Sequence, residues 1–114
     1  MKIERFEDII SWQKGIDLAV LVYSMFNSNR DFDFKSQIQR AVVSISNNIA
    51  EGYERRSNKE LKQFLYISKG SAGEVRSMTY IALKLNYINQ QQFEDLYQRC
   101  LEICRLLSGF IKTL

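Results

Sequence analysis

No histidine occurs anywhere in the 114 residues, so the side chain that most often moves protons near neutral pH is missing. A serine or cysteine triad of the usual kind cannot be assembled. Nor can the Glu-x-x-His pairs with which helical bundles hold di-iron or di-manganese centres. The two cysteines, Cys100 and Cys104, stand four apart. That spacing puts them on one helix face but holds them poorly for a disulfide, and two thiolates fall short of the about four ligands a structural zinc needs. They are expected to be small buried apolar residues. There is no GxxxxGK[ST] phosphate loop. Glu51 and Glu74 could pair as carboxylates, but salt bridges or polar ties between helices are the commoner use of such residues. The expectation is a non-enzyme with no metal and no cofactor.

What remains chemically distinctive is positive charge. Residues 1–34 carry four basic and six acidic side chains, net −2; residues 35–84 carry nine and four, net +5; residues 85–114 carry three of each. The overall +3 is therefore concentrated in the middle of the chain. If residues 57–85 are helical, turning about 100° per residue brings Lys59, Lys62, Tyr66, Lys69, Gly73, Arg76, Tyr80 and Lys84 into one arc opposite the apolar stripe. No acidic residue falls in that arc, and Arg55 and Arg56 extend it at the N-terminal end. Helix faces that merely keep a protein solvated usually intersperse glutamate for i,i+4 pairing. A row of cations without them suits a phosphate backbone, and tyrosines between them suit unpaired bases. Tyr66 and Tyr80 could equally cover a subunit contact, since tyrosine is enriched at interfaces.

Four helices are needed to position these residues. Ile9, Trp12, Ile16, Ala19, Tyr23 and Phe26 recur at helical steps, predicting a first helix over Asp8 to Phe26 with Asp8 as its cap. Ile38, Val42, Ile45, Ile49 and Tyr53 predict a second over Asp33 to Glu54. Beside that stripe runs a small or polar one, Gln37, Ala41, Ser44, Asn48 and Gly52, expected to face another helix. Ser57 with Glu60 forms a capping-box pattern that opens the third helix. Its stripe, Leu61, Leu65, Ser68, Ala72, Val75, Met78, Ala82 and Leu85, spans about 28 residues or ~42 Å. Gly70 and Gly73 in its middle suggest close packing. Asn89 with Gln92 repeats the cap, and Phe93, Leu96, Cys100, Ile103, Leu107, Phe110 and Leu114 follow as a heptad seam. Long helices joined by short turns pack antiparallel, so the predicted fold is all-α, an up-down-up-down four-helix bundle. With helices 2 and 3 antiparallel, Arg40 comes level with residues 71–74, and we expect it to pair with Glu74 or Glu51.

Length, 46% apolar and 25% charged content and the absence of proline agree with one domain over residues 1–114 built of uninterrupted helices. The start, Met1 to Asp8, has no apolar signal core, and the longest apolar run, Leu18 to Val22, is far shorter than the ~20 residues of a membrane span. A cytoplasmic protein with no membrane contact is expected.

The run Gln37 to Tyr53, followed by Arg56-Ser57, is distinctive. It resembles the signature of the 23S rRNA-intervening-sequence proteins, a bacterial family. Phe6-Glu7-Asp8 with Trp12-Gln13-Lys14 resembles that family's opening motif, and Phe64-Leu65 with Gly70-Ser71 and Glu74 its third helix. Departures fall at Phe34 (commonly leucine), Ser46 (commonly proline) and Ser68 (commonly alanine). The resemblance implies a four-helix protomer that often closes into a homopentamer. It also implies similarity to the accessory variability proteins of diversity-generating retroelements, which pair with a reverse transcriptase and nucleic acid through basic surfaces. Together these readings predict a homo-oligomeric protein that binds structured RNA or DNA through the third helix. The alternative is an adaptor that docks a protein partner instead.

Overall fold

Three side-chain helix caps and two closely packed glycines set the frame of the computed structural model, which describes residues 2–114. Among these residues there are four α-helices and no strand: α1 (Ile10–Met25), α2 (Phe32–Tyr53), α3 (Asn58–Lys84) and α4 (Gln90–Lys112), with a short 3-10 turn, Phe6–Asp8, ahead of α1. The fold is all-α, as predicted. It measures 43 × 22 × 18 Å.

Each of the last three helices starts on a side chain that satisfies a free backbone N–H. The Asp31 carboxylate accepts from Phe34 N, Ser57 Oγ from Glu60 N at 3.1 Å, and Asn89 Oδ1 from Gln92 N at 2.8 Å. The Asn89–Gln92 box is reciprocal, as expected. The Ser57–Glu60 box is only half formed, because the Glu60 carboxylate turns to the Ser57 hydroxyl and to Arg55. Asp8 does not cap α1 as predicted. Its carboxylate accepts from the backbone N–H groups of Glu4 and Arg5, and Ile9 occupies the cap position with no side-chain bond.

The core runs the length of the helices through Leu18, Val22, Ile38, Val42, Ile45, Ile49, Leu65, Ala72, Val75, Ala82, Leu96, Cys100, Ile103 and Leu107, all at 0% exposure. The predicted stripes of α2, α3 and α4 are found there. Leu85, by contrast, ends α3 exposed, and at the end of α4 the buried residue is Ile111 rather than Phe110. A straight helix drifts about 20° per heptad, which moves a strict seven-residue seam off the core.

The α1 stripe is found only in part: Ile9 and Phe26 are buried and Trp12 and Ala19 pack against the core. Ile16 and Tyr23 are exposed, and the buried face is Ser11, Gly15, Leu18 and Val22. Residues 18–22 are all apolar and fill both neighbouring stripes, so periodicity could not choose between them. Close approach decides: a Cβ on Gly15 would sit 3.3 Å from Ile45 Cγ2 and 3.5 Å from Ser46 Cβ.

The small stripe of α2 does face another helix. Ser44 Oγ and Ser71 Oγ are 2.9 Å apart, Ser68 Oγ donates to the Ile45 carbonyl at 2.7 Å, and Gln37 donates to Glu74 at 3.4 Å. At Gly52 the contact is closest, for an added Cβ would lie 2.6 Å from Phe64 Cβ. Along these pairs the numbers rise in α2 as they fall in α3. Gly70 and Gly73, expected to mark close packing, have nothing within 4 Å of such a Cβ.

In cyclic order α1 touches α2, α2 touches α3, α3 touches α4 and α4 touches α1. No Cα of α1 comes within 8 Å of one in α3, nor α2 of α4. At one end Phe26, Phe34 and Tyr87 pack edge to face, and the Tyr87 phenol donates to Asp31 at 2.6 Å. None of the described helices is long and apolar enough to cross a membrane.

Candidate nucleic-acid interface

Helix α3 is held on one side by α2 and on the other by α4, leaving an outer surface between them. The predicted basic arc lies on this surface, but not opposite the core. Lys62, Lys69, Gly73 and Arg76 are half-buried, while Lys59, Lys84, Tyr66 (55% exposed) and Tyr80 (46%) are open. The strip therefore runs along the flank of α3 that borders α4. The reason is angular: Lys62, Lys69 and Arg76 each follow a core residue by one position or four, about a quarter-turn from the buried face.

Among the described residues, no carboxylate lies within 4.0 Å of Arg56, Lys59, Lys62, Lys69, Arg76 or Lys84, since the ion pairs of the chain are formed elsewhere. Arg55 differs. Its guanidinium reaches Glu51 at 3.1 Å and Glu60 at 3.9 Å and lies 5.0 Å from the Phe64 ring centroid. Arg55 is thereby committed to the α2–α3 turn and separated from the strip. Glu51 forms a salt bridge with Arg55 one turn on and makes no tie between the long helices.

Tyr80 is the point where α3 meets α4 through aromatic rings. It packs edge-on against Phe93 (centroids 5.0 Å apart) and Tyr97 (5.8 Å), and those two rings stack 5.6 Å apart. Contact between the Tyr80 and Tyr97 phenols holds the Tyr80 pKa above the ordinary tyrosine value, with burial adding and Arg76 opposing. Phe93 and Tyr97 were absent from the predicted site. Phe93 falls on the predicted heptad seam of α4, and Tyr97 lies one turn after it, on a different helix from the arc.

On the other flank of α3 a groove of about 760 Å³ is lined by Asp33, Gln37, Arg40, Ala41, Ser44, Ser71 and Glu74. The predicted Arg40 pair is not formed there. Arg40 donates to Ser36 Oγ at 3.1 Å, and Glu74 accepts from Gln37 instead. Both charges are exposed, and in water their attraction scarcely offsets the ordering of two long side chains. Asn48 bonds within α2 rather than across to α3, donating to the carbonyl and hydroxyl of Ser44, both at 2.8 Å. Asp33, Arg40 and Glu74 are all exposed where they line the groove.

Cys100 and Cys104 are free thiols. Burial pushes the Cys100 thiol up to about 12, with Cys104 adding to the shift, which suits the expected packing role and not that of a nucleophile.

The chain matches the 23S rRNA-intervening sequence protein family over residues 7–109. Among solved structures it is similar to a protein of unknown function from the S23 ribosomal protein family of Bacteroides thetaiotaomicron. That likeness has a TM-score of 0.84 at 27% identity and covers 90% of this chain and 98% of the other. No curated protein matches it.

Proposed function

Because the chain belongs to the 23S rRNA-intervening sequence protein family, we propose that it is a non-enzymatic, cytoplasmic, nucleic-acid-binding protein. In this reading it is one domain, an antiparallel up-down-up-down bundle that assembles with copies of itself and holds RNA or DNA along the basic strip of α3. One observation carries the proposal. Lys59, Lys62, Lys69, Arg76 and Lys84 lie along one strip of a single helix without a neutralising carboxylate. Such a row releases condensed counterions from a phosphate backbone, so affinity falls steeply with salt.

Self-association is supported by where apolar surface remains. Among the described residues, the large exposed apolar side chains outside Ile3, Phe32 and the strip's own Tyr66 and Tyr80 belong to α1 (Ile10, Ile16, Val20, Tyr23) and to α3 and its cap (Ile67, Ile81, Leu85). These two helices lie across the molecule from each other. A contact from α1 of one copy to α3 of the next is heterologous, and such contacts form a closed ring where the rotation between copies divides a full turn; the family resemblance suggests five copies. The same apolar strips could dock a different protein, which is the adaptor reading.

The test is charge reversal of Lys62, Lys69 and Arg76 to glutamate. Retention on immobilised RNA or DNA should be lost while the far-ultraviolet circular dichroism stays unchanged. Salt-insensitive, undiminished binding by the triple variant refutes the proposal, and a protein partner that survives nuclease treatment favours the adaptor. Solution mass measurement reports the assembly.

A further inference from the structure

We propose that Tyr80, backed by Phe93 and Tyr97 and flanked by Arg76 and Lys84, is a stacking platform for an unpaired nucleobase, so that the strip takes single-stranded RNA or DNA in preference to duplex. The inference rests on the nucleic-acid reading above and names the kind of nucleic acid that reading leaves open.

The platform begins with spacing. Arg76 and Lys84 stand one turn before and one turn after Tyr80, about 6 Å to either side along the helix axis. A base lying on the ring would thus have a cation near the phosphate on each side. The pattern occurs a second time on the same helix, where Lys62 and Lys69 bracket Tyr66. The two tyrosines are 14 residues apart, about 21 Å. Between them Gly73 adds no side chain, and nothing stands within 4 Å of its Cβ position.

Rigidity separates Tyr80 from an ordinary surface tyrosine. Its ring is wedged edge-on against two others that are themselves stacked, yet the residue keeps 46% of its surface exposed. A ring already fixed in place loses little further freedom when a ligand settles on it. Stacking of a base on an aromatic side chain tolerates any sequence, because every base has a π-face. In a duplex those faces are hidden, so only the phosphates would engage the strip. On α4 the acidic Glu94 follows Phe93 in sequence and accepts from the Gln90 amide at 3.4 Å.

The test is fluorescence anisotropy of the full chain with two labelled probes, a single-stranded oligothymidylate and a blunt DNA duplex of equal length. The native chain should bind the single strand more tightly. Tyr80→Leu should weaken single-strand binding about 5- to 150-fold, the range that one stacked base represents, and leave duplex binding within twofold. Tyr80→Phe, which keeps the ring and its packing, should bind as the native chain does. Equal affinity for the two probes, or a Tyr80→Leu variant that keeps its single-strand affinity, overturns the platform while the basic strip still stands. Failure of the native chain to bind either probe overturns both proposals.

Discussion

Adding one methyl group at Gly52 tests the close α2–α3 contact on which the position of the strip depends. A Cβ there would lie 2.6 Å from Phe64 Cβ and 3.2 Å from Leu61 Cδ1, whereas ordinary contact begins at 3.4 Å. Phe64 Cβ is anchored to its own backbone and cannot swing aside, so the two helices must separate locally by roughly the missing 0.8 Å. Overpacking of this kind costs about 1–3 kcal/mol. Alanine recovers about 1 kcal/mol of helix propensity. The net expectation for Gly52→Ala is a loss of up to about 2 kcal/mol, or up to about 8 °C in Tm for a chain of this size. Gly109→Ala is the matched control. It makes the same chemical change in α4, where nothing stands within 4 Å, and should raise Tm by a few degrees through propensity alone. Thermal melts followed at 222 nm, at one fixed protein concentration because assembly makes Tm concentration-dependent, compare the two. A Gly52→Ala protein stabilised as much as Gly109→Ala would show that α2 and α3 do not meet as described.

Two further outcomes can be checked in solution. Hydrogen bonds from the Tyr87 phenol and then from Phe34 N hold the Asp31 carboxyl below its ordinary pKa. A lowered acid pKa contributes stability that is present above the unfolded-state value, near 3.8, and is lost as pH falls through the folded-state value. Asp31→Ala should therefore lower Tm at pH 7 and bring little change at pH 2, and an equal deficit at both would exclude the carboxylate as the cause. Thiol titration of the native chain should label Cys104 and spare Cys100, whose burial keeps it protonated. Modification of both at the same rate before unfolding would contradict the packing of the α4 core.

Much of the fold was legible because helical periodicity is a local property. Caps at Ser57 and Asn89 and the stripes of α2, α3 and α4 follow from residues three and four apart, and the structure places them as read except at helix ends, where Leu85 is exposed and Ile111 is buried in place of Phe110. Where apolar residues crowd together, as at residues 18–22, local pattern is degenerate. Gly15 then selects the face, through contact with residues some thirty positions away. The glycines teach the same lesson in reverse: Gly70 and Gly73 invited a close-packing interpretation and stand open, while Gly15 and Gly52 are the ones that helices abut.

The candidate site divides along the same line. Its cations and tyrosines belong to one helix, so their common strip and its lack of acids could be counted from spacing alone. Three things depended on which helices lie side by side. Arg55 was drawn off to Glu51 and Phe64, Arg40 lost Glu74 to Gln37, and Tyr80 acquired Phe93 and Tyr97 as its support. Spacing along a helix places side chains on a face, but which charges and rings meet across helices depends on distances that only packing sets.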